Sequence, residues 1–398
     1  MKASGFWVVV AIALTQTIAS TACLPTYESS LEEIRPGQPG YDTVVQVRFL
    51  GVSGFLIQRG DEAVLTAPLY SNPTTEELAD IVKPNLERIE KFHPKADGVK
   101  AILVGHAHYD HLMDVPYVWE KTPEAIIYGN VSMKNILAGY APGALGGDVP
   151  RIPEDRVVAL DRLDRNVVDY RKCIQNQGPV EQARGRIDAA TTNGAWVQVP
   201  DTNIRFRALC SQHPPQILSF IHLWPGCVHR PHFAPPDRSE DYQEGETLAY
   251  LIDFMDEDQT TPLFRIYYQD APTGPTIGQI PDELRREKAV DLALLCVGNF
   301  FDVRTPTHIV ENTDPRYVIL GHWEDFFRSQ DERLKQIPFA NTRRVVKAVR
   351  EAAPEAEVFM PIPQTLFYFE PETSRADAMR DVAKEARSEK GTASGRDR

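Results

Sequence analysis

The stretch that most constrains this chain is residues 101–114, with the sequence AILVGHAHYDHLMD. An apolar run of strand character ends at Gly105, and four metal-competent side chains follow within six residues: His106, His108, Asp110 and His111. Imidazole and carboxylate groups lose hydration when they are buried, so they cannot all be buried without partners. A divalent metal ion offsets that cost, and the stretch therefore predicts a metal site at a strand-to-helix turn.

The spacing within this run divides the four side chains into two pairs. His106 and His108 lie two apart on an extended segment, so they point the same way and can bind one ion. Asp110 and His111 are offset by the turn and suit a second ion beside the first.

Length and charge set outer limits on the architecture and on the partners. The chain has 398 residues, of which 42% are hydrophobic and 25% charged, as expected for a globular protein of one large domain or two ordinary ones. Its net charge of -13 repels phosphate backbones, so nucleic acid is not an expected partner. The sequence leaves the oligomeric state open.

The N-terminus predicts export. Lys2 precedes an apolar segment, FWVVVAIAL, and the small residues ASTA end at Ala22, so residues 1–22 are typical of a signal segment. Cys23 follows directly and resembles a bacterial lipoprotein processing site, although Ser20 stands where leucine is usual. A lipid tether at Cys23, a cleaved signal and a retained anchor stay open, and the expected location is the periplasm or a membrane-anchored lipoprotein.

The rest of the chain divides into a linker at 23–42, one globular domain at 43–370 and a charged, disordered tail at 371–398. Strands are predicted at 44–49, 54–57, 63–65, 125–128, 196–199, 204–209, 248–254, 263–268, 290–297, 317–320 and within 357–369. Helices are predicted at 75–92, kinked or divided by Pro84, at 132–138, capped by Ser132, and at 341–352. Residues 164–194 show no hydrophobic periodicity, which predicts a surface insertion.

The run His-Ala-His-Tyr-Asp-His resembles the signature of the metallo-β-lactamase superfamily. The resemblance implies an αββα sandwich, with further ligands after later strands in the order His, Asp, His. This sequence meets that order, since FRALCSQ precedes His213, FRIYYQ precedes Asp270 and YVILG precedes His322. Polar ligands that follow hydrophobic strands meet at one rim of such a sandwich.

The resemblance also implies a role for each ligand. The first metal is bound by three histidines, His106, His108 and His213. The second is bound by Asp110, His111 and His322, and Asp270 bridges both. Two divalent ions, with zinc the preferred identity, would hold a hydroxide that attacks an ester, amide or phosphodiester. Asp110 could also orient that nucleophile or accept its proton, so it is the candidate catalytic residue.

Two departures from the family pattern bear on the metal affinity of the site. The family's Thr-Asp-Pro after an early strand reads Thr66-Ala67-Pro68 here, and Gln269 replaces a glycine before Asp270. A lost supporting carboxylate typically weakens metal affinity ten- to a hundredfold. A weakened or single-metal site is therefore an alternative.

The closest resemblance within the superfamily is to the branch of N-acyl-phosphatidylethanolamine-hydrolysing phospholipase D and related bacterial hydrolases. It rests on His-x-His-Tyr-Asp-His-Leu and on the Thr-x-Pro. It implies a small-molecule or lipid substrate. The alternative from another class is a catalytically weak, exported metal-binding lipoprotein that acts as a recognition module, and a redox variant with iron also stays open.

The cysteines and the remaining aromatic and histidine residues give weaker predictions. Cys173 and Cys227 are the candidate disulfide pair, and Cys210 and Cys296 are expected to be buried free thiols. Residues 218–244, with Trp224 and Phe233, could line the substrate site or pack locally. Tyr109 could face the substrate or fill space. His93 and His308 are expected to be solvent-exposed or capping residues.

Overall fold

The computed structural model describes residues 26–161, 194–215, 222–273, 277–297, 304–338 and 340–371. These residues form two seven-stranded sheets that pack face to face, with helices on both outer sides. The αββα sandwich predicted from the sequence is confirmed.

The first sheet has the order β14-β1-β2-β3-β4-β5-β6, and the second β13-β12-β11-β10-β9-β8-β7. The strands of the first half are β1 (Val45–Gly51), β2 (Gly54–Arg59), β3 (Glu62–Thr66), β4 (Val99–Leu103), β5 (Ile126–Gly129) and β6 (Val157–Ala159). Those of the second half are β7 (Trp196–Gln198), β8 (Ile204–Cys210), β9 (Leu248–Met255), β10 (Pro262–Gln269), β11 (Leu292–Cys296), β12 (Tyr317–Gly321), β13 (Glu357–Phe359) and β14 (Leu366–Phe369).

The helices cover the two outer faces. They are α1 (Thr75–Ala79), α2 (Leu86–Phe92), α3 (Tyr109–Leu112), α4 (Val115–Lys121), α5 (Val131–Leu137), α6 (Asp282–Glu287), α7 (Arg304–Thr313) and α8 (Thr342–Ala352). Pro84 falls between α1 and α2, so the predicted helix over 75–92 is divided rather than kinked. Within the described ranges, no helix is long and apolar enough to cross a bilayer.

The core has three layers, and β4 shows how the sequence produces them. Ala101 and Leu103 face the second sheet, whereas Ile102 and Val104 face the helices of the first sheet. Both faces of the strand are buried, which is why it reads as a continuous apolar run instead of an alternating one.

The direction of the strands brings their C-terminal ends to one rim. Strands β3 to β6 are parallel to one another, and so are β10 to β13. β8 runs antiparallel to β9, which runs antiparallel to β10, so β8 ends at the same edge as β10. The segments after β4, β8, β10 and β12 therefore converge.

Two local predictions differ from the structure. Helix α5 is capped by Asn130, whose side chain accepts from the Met133 N–H, while the Ser132 hydroxyl accepts from the Val228 N–H. The predicted linker is already packed on the domain at Tyr27, whose N–H donates to the Met360 carbonyl and whose ring stacks on Phe367 at 5.3 Å.

The cysteine predictions are partly settled. Cys210 and Cys296 are buried thiols outside any disulfide, as expected, and Cys227 is disulfide-bonded. Cys173, Cys23, the signal segment 1–22, residues 164–193 of the expected insertion and the tail from 372 lie outside the described residues.

Candidate metal centre

The His-rich run leaves β4 as extended chain and then turns into a short helix. His108 is the N-cap residue of α3, with an extended backbone (φ -65°, ψ 156°), and Asp110 and His111 lie in the helix itself. His106, His108, Asp110 and His111 are all buried. The strand-to-helix turn predicted from the sequence therefore places four metal-competent groups side by side in the interior.

Asp270 crosses from the second sheet to fix this turn. Its Oδ2 accepts from the Gly105 N–H at 2.8 Å and from the His106 N–H at 3.2 Å, and its Oδ1 lies 3.0 Å from His106 Nδ1. A Cβ on residue 105 would lie 2.2 Å from Oδ1 of Asp270. Glycine is thus required where the carboxylate meets the backbone.

The predicted ligands come together in three overlapping groups, each with its ligand atoms within 4.8 Å of one another. These groups are His106–His108–His213, Asp110–His111–His322, and His106–His111–Asp270. Asp270 is grouped with His106 of the first set and with His111 of the second. A ligand shared by two metal ions would have this position. All seven side chains predicted from the sequence are therefore at the rim where the strands converge.

Unpaired ring nitrogens provide a test of whether this set fits a metal. His108 Nε2, His111 Nδ1 and His322 Nδ1 are buried and have no hydrogen-bond partner. A buried polar atom without a partner costs about 1–3 kcal/mol. Imidazole and carboxylate ligands in groups of three suit zinc and other divalent transition metals. The residues present fit such ions.

The first group is poised in the form that binds metal. Burial, followed by the charge of His106, lowers the pKa of His108 to about 3, and burial lowers the pKa of His213 to about 3. Burial likewise holds the pKa of His106 well below its usual value. The three rings are therefore neutral at pH 7, and no proton has to leave before a metal binds.

The second group behaves as a coupled acid–base set. Burial alone would raise the pKa of Asp110, but the charge and hydrogen bond of His111, followed by the hydrogen bond of His322, bring it well below its usual value. Burial opposes protonation of His111, yet the carboxylates of Asp110 and Asp270 raise its pKa. His322 Nε2 lies 3.2 Å from Asp110 Oδ2. Asp110 is thus ionised and faces both histidines.

His322 sits on a turn that is fastened to the β1–β2 hairpin. Its backbone is left-handed (φ 59°), and so is that of Val52 (φ 54°), which is unusual for a β-branched residue. The Glu324 carboxylate accepts a hydrogen bond from the Val52 N–H. Burial raises the pKa of Glu324 to about 7. Glu324 therefore joins the two turns behind His322.

The two departures from the family pattern have different outcomes. Ala67 is fully buried after β3, and its N–H donates to the Leu103 carbonyl, so it supplies no carboxylate to the site. Gln269 does not crowd the site: its Oε1 accepts from the Tyr267 hydroxyl, and Tyr267 packs in the outer core of the second sheet. Successive side chains of a strand point to opposite faces, so Asp270 points inward instead.

Sequence reasoning missed two buried carboxylates near the site. Burial lowers the pKa of His108 and His213, and the charge of Glu244 offsets part of that lowering; the Glu244 carbonyl also accepts from the Ala107 N–H. Asp114, the last residue of the run, accepts hydrogen bonds from the Tyr70 N–H and from the N–H and hydroxyl of Ser71. Neither role has a local sequence signal, because both partners come from distant segments.

Two histidines that were expected to be solvent-exposed or capping have specific partners. His93 occupies the C-cap position of α2, and its Nδ1 lies 3.0 Å from the Tyr70 hydroxyl. His308, on α7, lies with Nε2 3.1 Å from the Thr273 hydroxyl. Neither belongs to the metal-competent groups.

Comparison with known proteins agrees with this geometry. Residues 47–169, which include the whole His-rich run, match the family model described as the metallo-β-lactamase superfamily. A metal-dependent hydrolase of Aeropyrum pernix is 27% identical over 95 residues, covering 24% of this chain and 34% of that protein. The chain thus spans about a third of the length of the curated relative it matches.

Two solved structures are similar in fold. A metallo hydrolase of the archaeon Ignicoccus hospitalis has a TM-score of 0.46 at 15% identity, covering 83% of this chain and 100% of that one. The metallo-β-lactamase fold protein YhfI of Bacillus subtilis has a TM-score of 0.42 at 12% identity, covering 82% and 100%. The family match and the sheet order together describe a metallo-β-lactamase fold.

Proposed function

Starting from a metallo-β-lactamase fold, we propose that this protein is a metal-dependent hydrolase with a two-ion site. One observation carries the proposal: seven ligand-type side chains form three overlapping groups, with Asp270 placed between the other two. The family description and the name of the Aeropyrum pernix relative support the hydrolase class. Two ions and zinc as their identity are part of the proposal.

The seven ligand-type residues would bind one ion at each end of the site. His106, His108 and His213 would hold one ion, Asp110, His111 and His322 the other, and Asp270 both. Bound divalent ions would lower the pKa of water and stabilise the negative charge that develops on the substrate. The Asp110 carboxylate is ionised and faces His111 and His322, so it can orient the attacking water and accept its proton.

The proposed reaction is hydrolysis of an ester, an amide or a phosphodiester, the bonds that such a nucleophile attacks. A lipid-derived substrate is the finer form of the proposal, supported by the resemblance of the His-rich run to the N-acyl-phosphatidylethanolamine-hydrolysing branch. Export and a membrane tether at Cys23 would bring the protein to such substrates.

Metal analysis coupled to a substrate panel tests the proposal. The full chain would be loaded with zinc, its metal content measured by mass spectrometry, and hydrolysis followed on p-nitrophenyl esters, phosphodiesters, lactones and an N-acyl phospholipid. We expect two zinc ions per chain, cleavage of at least one class, and loss of both zinc and turnover in His108→Ala. His308→Ala is the matched control, since His308 is bonded to Thr273 outside the ligand groups.

The second candidate is a metal-binding recognition module, and Ala67 is the observation that favours it. The loop after β3 brings no carboxylate to support a ligand, which weakens metal affinity in such sites. Fewer than one zinc per chain together with no cleavage on the whole panel would contradict the hydrolase. One or two bound ions without cleavage would favour the module.

A further inference from the structure

One aromatic side chain lies directly beside the first ligand group. The Trp224 ring is 6.2 Å from the His108 ring and 5.4 Å from the Tyr109 ring, edge-on to both. Trp224 is partly buried, whereas Tyr109 is buried. Trp224 therefore lies beside the first ligand group and is partly open to solvent.

The backbone holds Trp224 in place at an energetic cost. Its φ of 45° is left-handed, a conformation that residues with a side chain rarely adopt. The surrounding loop is fastened to the domain: the Trp224 carbonyl accepts from the Glu244 N–H, and the Val228 N–H donates to the Ser132 hydroxyl. Cys227 is disulfide-bonded between these two points. Such strain is typical of functional positions that the fold keeps fixed.

The indole N–H of Trp224 differs from those of the two buried tryptophans Trp119 and Trp323. Trp119 and Trp323 donate their indole N–H to the carbonyls of Ala125 and Pro361, as buried tryptophans normally do. The Trp224 indole N–H donates no hydrogen bond to any residue that the structure describes.

Aromatic side chains lie at both ends of the ligand cluster, and Trp224 is the one beside His108. At the opposite end of the cluster, the Phe326 ring lies 4.8 Å from the His322 ring. Aromatic rings therefore lie beside ligand residues at both ends of the cluster, and such rings favour an apolar substrate group.

We propose that Trp224 is a specificity-determining residue, whose ring binds an apolar acyl or aryl group of the substrate beside His108. The inference rests on the proposed hydrolase function, because it needs a metal at the first ligand group to hold the reacting end of the substrate. It selects substrates in which a hydrophobic group is attached next to the scissile bond.

Direct binding of alkyl hydroxamic acids tests the proposal without knowledge of the substrate. The hydroxamate group chelates zinc, and its alkyl chain contacts the protein surface beside the zinc site, where Trp224 lies. Calorimetric titration of the zinc-loaded full chain would compare acetohydroxamic acid with its homologues up to six carbons. Each methylene that Trp224 covers should tighten binding about fourfold, the factor that corresponds to ~0.8 kcal/mol.

Three variants sharpen the test. In Trp224→Ala we expect unchanged acetohydroxamate binding but an affinity that no longer rises with chain length, and in Trp224→Phe most of the rise should return. Phe233→Ala is the matched control, because Phe233 lies on the same loop and is 81% exposed. Zinc content is measured in every variant to confirm that the site is formed.

The outcomes separate this inference from the function on which it rests. If the affinity of Trp224→Ala rises with chain length as in the wild type, the specificity role is refuted while the metal site stands. If the full chain takes up no zinc, the metal site itself is refuted and the inference falls with it. If the zinc-loaded wild type binds hydroxamates no more tightly as the alkyl chain grows, the specificity role alone is refuted.

Discussion

Replacing Gly105 by alanine tests how the two sheets hold the site together. The new Cβ would lie 2.2 Å from Oδ1 and 2.5 Å from Oδ2 of Asp270, well inside van der Waals contact. The carboxylate would have to retreat by roughly 1 Å to reach an ordinary contact distance. It could then keep at most one of its three bonds, which join it to the Gly105 N–H, the His106 N–H and the His106 ring.

The size of the effect follows from these bonds. A hydrogen bond to a charged group contributes about 1.5–3 kcal/mol. Losing two of the three should therefore destabilise the metal-free protein by about 3–6 kcal/mol. Asp270 also groups with His106 and His111 as a ligand, so zinc affinity should fall at least ten- to a hundredfold.

Urea unfolding of the metal-free protein and competition with a zinc chelator measure the two effects. Gly147→Ala is the matched control, because a Cβ at Gly147 would meet nothing within 4 Å. If Gly105→Ala bound zinc as tightly as Gly147→Ala, the assignment of Asp270 as the link between the sheets and as a shared ligand would be wrong.

Three further predictions concern the ligands and their support. His108→Ala and Asp270→Ala should each abolish turnover while the far-ultraviolet circular dichroism stays that of the wild type; unchanged rates would refute the site. Glu324→Ala, which removes the acceptor of the Val52 N–H, should weaken the second of two zinc-binding steps ten- to a hundredfold and leave the first unchanged, with Glu324→Gln intermediate. Burial lowers the pKa of His93 to about 4. As the pH falls, His93 is therefore protonated in the unfolded chain before it is protonated in the folded protein. The free energy of unfolding should fall by up to about 3 kcal/mol as the pH drops from 6.5 to 4. In His93→Asn the free energy of unfolding, measured by urea titration, should depend less steeply on pH. An equal pH dependence in wild type and variant would contradict the assignment of this effect to His93.

The ligand positions could be predicted because each follows a buried strand. Strands such as β4, β10 and β12 have both faces covered, so they read as apolar runs, and the first polar residue beyond each run stands out. The rule that parallel strands end at one edge then predicts that His106, Asp270 and His322 meet. The structure places them together, as the pattern indicates.

The contacts that support these ligands could not be read in the same way. Whether Gln269 crowds the site depends on which face of β10 it occupies, and the hydroxyl of Tyr267 fixes that face. Ser132 was expected to cap α5, but its hydroxyl accepts a hydrogen bond from the Val228 N–H of a distant loop. Glu244 likewise reaches the site through a loop whose path has no periodic pattern. Such long-range pairings leave no local trace in the sequence.

The pairing of β14 with β1 has a consequence for the order in which the chain folds. Val45, near the start of the domain, pairs with Phe369 at its end, and Phe367 and Phe369 fill the core between the sheets. Until the last strand leaves the ribosome, β1 keeps an unpaired edge and that core lacks two aromatic rings. Completion of the first sheet is therefore a late, slow step, because its final strand must be recruited from the far end of the chain. A chain cut short before Leu366 would present β1 as an open template for aggregation.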